Sequence, residues 1–196
     1  MKQLTIIICI TLITQVAFGQ SSILDSYNVQ KNKIDKTGFT VLGSWGAVNI
    51  IYGAIATSSA HGSNKYFNQM NAIWGATNLG LAALSYLGIK KEIGSSYAST
   101  LKDQVKLQKI FLFNAGLDLT YIATGLFLNE RSKNVIKDSD KFKGYGESVM
   151  MQGGGLLIFD IVMYTLHNRH SEKLYKLAEK VQLTVSPGRV GMVVKL

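Results

Sequence analysis

Four long apolar stretches, separated by charged segments, organise most of the chain. Each is long enough to cross a bilayer, which takes about 20 residues. The only charged residues inside them are Asp118 in the third and Asp160 in the fourth. Helices of soluble proteins seldom run this far without a polar surface face. The pattern predicts an all-α four-helix transmembrane bundle, with a soluble helical bundle as the alternative. The stretches are residues 38–57, 70–89, 110–128 and 148–166.

The four predicted helices form two similar hairpins. In the first and third stretches, "WGAVNIIYGA" aligns with "NAGLDLTYIA", which places Asn49 on Asp118. In the second and fourth, "WGATNLGLAALSY" aligns with "QGGGLLIFDIVMY". Two hairpins in succession enter the membrane the same way. The sequence therefore predicts repeat halves at 38–90 and 108–167, related by an axis along the membrane normal.

The segments outside the spans complete the predicted organisation. The start, "MKQLTIIICITLITQVAFGQ", has a lysine, an apolar run and small residues before a cleavage point, which is typical of a secretory signal peptide. Cys9 is the only cysteine, so a mature chain would hold no disulfide, catalytic thiol or cysteine-ligated metal. The predicted divisions are 1–19 signal peptide, 20–37 N-terminal tail, 38–168 membrane domain, and 169–196 C-terminal amphipathic helix and short β-hairpin-like tail.

The orientation of the predicted spans rests on two signals that disagree. A cleaved signal peptide places both termini in the periplasm and the protein in the inner membrane. The periplasmic segments then carry 14 Lys and Arg residues and the cytoplasmic loops carry 6, whereas the positive-inside rule favours the reverse. We follow the signal peptide, because its features are more specific.

The net charge of +9 is interpreted as basic loops lying against anionic lipid headgroups. The lysines fall between apolar runs and do not form a basic face with interleaved aromatic residues, as nucleic-acid binding would require. The expected partner is therefore the lipid bilayer, with a second copy or another membrane protein as a possible addition, and no nucleic acid.

Small residues recur at four-residue spacing within the spans. Such a stripe lets another helix backbone approach closely. In the second span the stripe starts at Ala72, and the first and fourth spans carry related small residues. We predict that helices contact each other, or a partner, along these residues. The predicted packing residues are Gly43, Ala47, Ala72, Ala76, Gly80 and Gly153.

Polar side chains inside the spans are the candidate functional residues. A carboxylate at the bilayer centre costs about 2.5–3.5 kcal/mol and usually faces a bundle interior or a wet cavity. Two interpretations are open for Asp118 and Asp160: a pocket for an ion, proton or small cationic solute, or carboxyl groups that pair with amides between helices. The predicted polar core comprises Asn49, Asn71, Asn78, Asn114, Asp118, Gln152 and Asp160.

The remaining chemistry points away from catalysis. Paired carboxylates serve acid–base catalysis, but the sequence supplies neither a nucleophile nor a group to hold a substrate, so no enzyme is predicted. His167 and His170 have no third ligand nearby in the sequence, so they are interpreted as polar residues at headgroup level and not as a metal site. No cofactor is expected.

Four segments, "GSWGAVN", "YFNQMNAIWGATNLGLAAL", "NAGLDLTY" and "GYGESVMMQGGGLLIFDIVMY", resemble an uncharacterised family of small Gram-negative bacterial membrane proteins with a domain of unknown function. The resemblance covers approximately residues 25–170. It implies a signal peptide and four predicted spans, and it brings no activity, ligand or catalytic residue.

Two functions are consistent with this organisation. The first is a non-enzymatic membrane component that associates with itself or with a partner through small-residue faces. The second is a carrier or receptor that holds a small solute or ion at Asn49, Asn78, Asp118 and Asp160. A carrier requires these side chains to converge on one cavity, whereas a structural component would satisfy them pairwise between helices.

Overall fold

The computed structural model describes the backbone of residues 2–90, 94–179, 181–186 and 189–194, and the side chains of residues 22–90 and 94–178. The side chains of the predicted signal peptide, residues 1–19, and of the predicted C-terminal hairpin lie outside the described residues. The signal peptide and its cleavage therefore stay predictions.

Four helices account for most of the chain, as the sequence predicts. They are α1 (Lys2–Ser59), α2 (Gly62–Leu87), α3 (Tyr97–Ser132) and α4 (Ser139–Glu179). Two short strands follow, β1 (Val181–Ser186) and β2 (Arg189–Val194), paired antiparallel with Val181 opposite Val194. The prediction of four helices is confirmed.

The helices pack as two hairpins, which are joined mainly through α2 and α4 and to a lesser extent through α1. α1 packs on α2, α3 packs on α4, and α2 packs on α4. The buried positions follow a seven-residue repeat, which is the packing seam of left-handed coiled coils. On α2 they are Asn68, Asn71, Gly75, Asn78 and Ala82. On α3 they are Thr100, Gln104, Phe111, Asp118, Gly125 and Ser132.

Glycines bring the helix backbones of each hairpin into direct contact. A Cβ added at Gly75 of α2 would lie 2.6 Å from the carbonyl oxygen of Gly46 in α1. A Cβ added at Gly125 of α3 would lie 2.6 Å from the carbonyl oxygen of Gly146 in α4. Since real Cβ atoms do not come this close to other atoms, only glycine permits these contacts.

The predicted stripe of small residues is only partly at these contacts. Ala72 of α2 lies against α1, because a Cβ added at Gly53 of α1 meets it. Gly43 of α1 lies against α2, because a Cβ added there meets Ala82. Ala76 and Gly80 are exposed, and a Cβ added at Gly80 meets no heavy atom within 4 Å. Within the chain, the close contact therefore does not follow the stripe through Ala76 and Gly80, and a contact of these residues with a partner stays a prediction.

The bundle is polar inside and apolar outside. Most of the buried side chains on α2 and α3 are polar, including Asn71, Asn78 and Asp118. Large apolar side chains such as Ile55, Leu84 and Phe113 are exposed within the apolar stretches. Soluble bundles show the opposite arrangement, so this pattern favours the transmembrane interpretation.

Three helices are long and apolar enough to cross a membrane: Ser22–Ser59 of α1, Tyr97–Ser132 of α3 and Ser139–Ala178 of α4. The second helix, α2, has 26 residues but a lower hydropathy, to which its buried asparagines contribute. The chain is thus consistent with a membrane protein.

The bundle continues beyond the predicted spans at the end where both termini lie. The region predicted as an N-terminal tail, 20–37, is part of α1. Leu24 and Tyr27 of α1 form a small apolar core with Leu174 of α4, and Tyr97 and Leu101 of α3 pack against it. This end of the bundle therefore has its own core outside the apolar stretches.

Candidate functional site

A connected network of polar side chains joins α1, α2 and α4 inside the bundle. Gln152 of α4 lies at its centre and is fully buried. Its Nε2 donates to Asn49 Oδ1 at 2.7 Å and to Asn71 Oδ1 at 3.1 Å, and its Oε1 accepts from Trp45 Nε1 at 3.0 Å. Ser148 Oγ donates to Asn71 Oδ1 at 2.6 Å. Because these partners all belong to the chain, the network holds three helices together.

A cavity of about 770 Å³ lies between α2 and α3 and is flanked by α1 and α4. It exists because α2 and α3 do not pack on each other, whereas the other neighbouring helices do. Side chains from four of the predicted polar positions line it. The lining residues include Trp74, Asn78, Asn114, Asp118, Tyr121 and Asp160.

The two membrane aspartates meet in this cavity. The side chains of Asp118 on α3 and Asp160 on α4 lie next to each other, with Asn114 beside Asp160. Two carboxyl groups that share a site do not both ionise readily. The two aspartates are 2% and 4% exposed, which leaves the cavity as their route to solvent.

Asp35 Oδ1 lies 2.9 Å from His167 Nε2, and two further polar atoms of cavity residues have no hydrogen-bond partner among the described residues: Asn78 Nδ2 and Asp118 Oδ2. The first is a donor and the second is an acceptor. Both side chains are at least nine-tenths buried, where an unpaired polar group is costly. The residues that line the cavity therefore include one donor and one acceptor without a partner.

An aromatic pair forms part of the wall beside the carboxyl groups. The rings of Trp74 on α2 and Tyr121 on α3 meet edge to face, with centroids 5.0 Å apart and planes at 68°. Tyr121 follows Asp118 by three residues and Trp74 precedes Asn78 by four, so each ring lies one turn from a polar cavity residue. The pair bridges the gap between α2 and α3.

The end of the cavity nearest the termini is lined by charged side chains. They are Lys31, Asp35, Lys90, Asp103 and Lys106. All lie outside the four apolar stretches, whereas Asp118 and Asp160 lie within them. The cavity therefore connects a charged end of the bundle with a carboxyl pair inside the apolar region.

Two histidines lie inside the bundle at this same end. His167 Nε2 is 2.9 Å from Asp35 Oδ1, and its ring stacks on Phe111 at 5.4 Å. His170 stacks on Tyr27 at 4.1 Å, with its Nε2 3.0 Å from the Tyr27 carbonyl oxygen. Burial lowers the pKa of His170 below its ordinary value and raises the pKa of the Tyr27 hydroxyl.

Both histidines pack inside the bundle, and the interpretation that they lie at headgroup level stays a prediction. Both are buried, at 0% and 5% exposure, and each packs face to face on an aromatic ring. Among the described residues, no group of three or more His, Cys, Asp or Glu side chains is arranged to hold a metal ion.

The seven predicted polar residues therefore separate into two groups. Asn49, Asn71 and Gln152 belong to the network, and the other four line the cavity. Trp45, Ser148, Trp74 and Tyr121 are participants that sequence reasoning missed. A signal for the two tryptophans was present, because "WGAVN" and "WGATN" each place a tryptophan one helical turn before a buried asparagine.

A protein family of unknown function, DUF6992, matches residues 41–161. The chain belongs to this family. The region that defines DUF6992 includes the glycine contacts, the polar network and the four polar side chains of the cavity, whereas His167 and His170 lie outside it. No curated protein and no solved structure matches the chain.

Proposed function

We propose that this DUF6992 protein is a non-enzymatic, multi-pass protein of the bacterial inner membrane that holds a small solute in the cavity between α2 and α3, as a receptor or carrier. The observation that carries the proposal is the convergence of Asn78, Asn114, Asp118 and Asp160 on one cavity of about 770 Å³. Cavities of this size and mixed apolar and polar lining are typical of small-molecule sites.

The behaviour of the individual polar groups supports this proposal over a purely structural role. Asn49 is satisfied within the chain by Gln152, as expected of a residue that joins helices. Asn78 and Asp118 instead each keep an unpaired polar atom at the cavity. Helix pairing alone gives no reason to retain such groups, because an apolar substitute would avoid their desolvation cost.

The proposed architecture has four spans with both termini in the periplasm. Besides the other three helices, α2 is also taken as a span, because its 26 residues exceed the about 20 that a bilayer requires. Its outward side chains Ile73, Leu84 and Leu87 are apolar and exposed. The charged end of the cavity then faces the periplasm. A reporter that is active only in the periplasm, fused to the C-terminus, tests the orientation. An inactive fusion would mean that the orientation is the reverse.

Native mass spectrometry tests the solute itself. Protein released from membranes in mild detergent should carry a non-lipid or lipid adduct of defined mass. The adduct should be lost from a variant with Asp118→Asn and Asp160→Asn, and retained by Asp140→Asn, which replaces an exposed aspartate. An adduct-free wild-type protein, or an adduct that survives the double substitution, would refute the proposal.

A second function, that of an interaction component, is favoured by one observation. Ala76 and Gly80 form an exposed small-residue face on α2 that the chain itself leaves uncovered. Such faces are suited to close contact with another membrane helix. If this face pairs with a second copy, Gly80→Leu should convert a dimer in detergent into a monomer, as measured by sedimentation.

A further inference from the structure

We propose, building on the solute-binding function above, that the solute is an organic compound with a primary ammonium group. The ammonium group would lie at the Asp118 and Asp160 carboxyl pair, with the adjoining apolar part of the molecule against Trp74 and Tyr121.

Charge is the first argument for an ammonium ligand. Asp118 and Asp160 are buried side by side at the cavity, and two carboxyl groups that share a site do not both ionise readily. An ammonium group beside them balances the charge of one ionised carboxylate. Neutral pairs are strongly favoured inside the apolar region of a membrane protein, where isolated charges are costly.

The aromatic pair is the second argument. Trp74 and Tyr121 line the same cavity as the carboxyl groups, and their edge-to-face contact places the two rings in one wall. Indole and phenol rings attract organic cations through the negative charge on their faces. Among the described residues, no group of three or more His, Cys, Asp or Glu side chains is arranged to hold an inorganic cation, so the aromatic pair favours an organic one.

The unpaired polar atoms are an independent third argument. Asp118 Oδ2 is an acceptor without a partner, as a donating ammonium group requires. Asn78 is 2% exposed, lines the same cavity and has an unpartnered Nδ2 donor. An oxygen near the ammonium group of the ligand would satisfy this donor. The ligand class is therefore a primary ammonium compound with a nearby hydrogen-bond acceptor and an apolar remainder.

Calorimetric titration of the full protein in dodecyl maltoside with matched probes tests this inference. The probes are phenethylammonium, its neutral counterpart 2-phenylethanol, and the anion 3-phenylpropanoate. Phenethylammonium should bind at least tenfold more tightly than either of the others. The Asp118→Asn and Asp160→Asn double variant should lose this preference, whereas Asp140→Asn should keep it.

The outcomes separate this inference from the broader function. Equal binding of 2-phenylethanol and phenethylammonium would refute the ammonium inference, although a mass-spectrometric adduct would still support solute binding. If the double variant fails to fold, the comparison of the three probes on the wild-type protein still decides. If the natural ligand is a lipid with an ammonium headgroup, added phosphatidylethanolamine will compete with phenethylammonium for binding. If it does not compete, the natural ligand is a soluble ammonium compound.

Discussion

Replacing Gly75 by alanine should destabilise the bundle, whereas the same replacement at Gly80 should not. Both glycines lie within α2, five residues apart. The methyl group at position 75 would lie 2.6 Å from the Gly46 carbonyl oxygen, 2.8 Å from the Ile50 nitrogen and 3.0 Å from the Asn49 Cβ. At position 80 it would meet nothing within 4 Å.

The magnitude follows from what has to move. Two of the three atoms around the Gly75 methyl group belong to the α1 backbone, so rotation of a side chain cannot relieve the contact. The helices have to separate, and overpacking of this kind typically costs about 1–3 kcal/mol. Gly80→Ala only gains helix propensity, which stabilises an exposed helical position by up to about 1 kcal/mol. The two variants should therefore differ by roughly 1–4 kcal/mol.

Reversible unfolding in mixed micelles, followed by tryptophan fluorescence, measures the free energy of unfolding of both variants. Gly46→Ala should act like Gly75→Ala, since its methyl group would lie 2.7 Å from the Gly75 carbonyl oxygen. The double variant should cost less than the sum of the two single variants, because one separation of the helices relieves both contacts. Equal stability of Gly75→Ala and Gly80→Ala would show that the α1–α2 contact is not as close as described.

Further measurements test the network, the histidines and the membrane location. Gln152→Leu removes three hydrogen bonds, two of them to the buried Asn49 and Asn71, and should lower the free energy of unfolding by about 1–3 kcal/mol. Met151→Leu beside it should change this free energy by less than about 0.5 kcal/mol, and equal effects would show that the network is not stabilising. Because folding lowers the pKa of His170, protonation of this ring favours the unfolded chain. The stability that the neutral ring contributes above pH 6.5 should therefore be lost as the pH falls below that value. The groups around this ring are Tyr27, His167, Lys31 and Lys173. His170→Gln should reduce the acid sensitivity of the protein in thermal melts. An unchanged pH profile would show that this sensitivity arises from another group. Finally, the protein should remain in the membrane pellet after carbonate washing, and recovery in the soluble fraction would refute the membrane assignment.

The helices and the buried aspartates could be predicted because both are strong local signals. Long apolar stretches indicate spans, and a lone carboxylate within one has to face inward. The sequence could also pair Asn71 with Asn78 on one face of α2, because seven residues return to the same side of a helix, and both are buried. What each amide contacts depends on the neighbouring helix, which periodicity alone does not specify.

Two features could not be predicted for identifiable physical reasons. Small residues occupy several faces of α2, and only the position of α1 determines that Gly75 is used for close contact and Gly80 is not. The extension of α1 through the predicted N-terminal tail was not predicted, because the residues that it buries include polar ones such as Asn28. Asn28 Nδ2 donates a hydrogen bond to Thr100 Oγ1 at 3.3 Å, and Thr100 is fully buried.

The seven-residue steps of buried positions on α3, from Gln104 through Asp118 to Ser132, restrict how the length of this helix can change among DUF6992 proteins. Deleting one residue between Gln104 and Phe111 would rotate the rest of the helix by about 100° relative to its start. Asp118 would then face lipid, at a cost of about 2.5–3.5 kcal/mol. Insertions and deletions in α3 should therefore occur in units of seven residues, and other differences in length should be confined to the loops between helices.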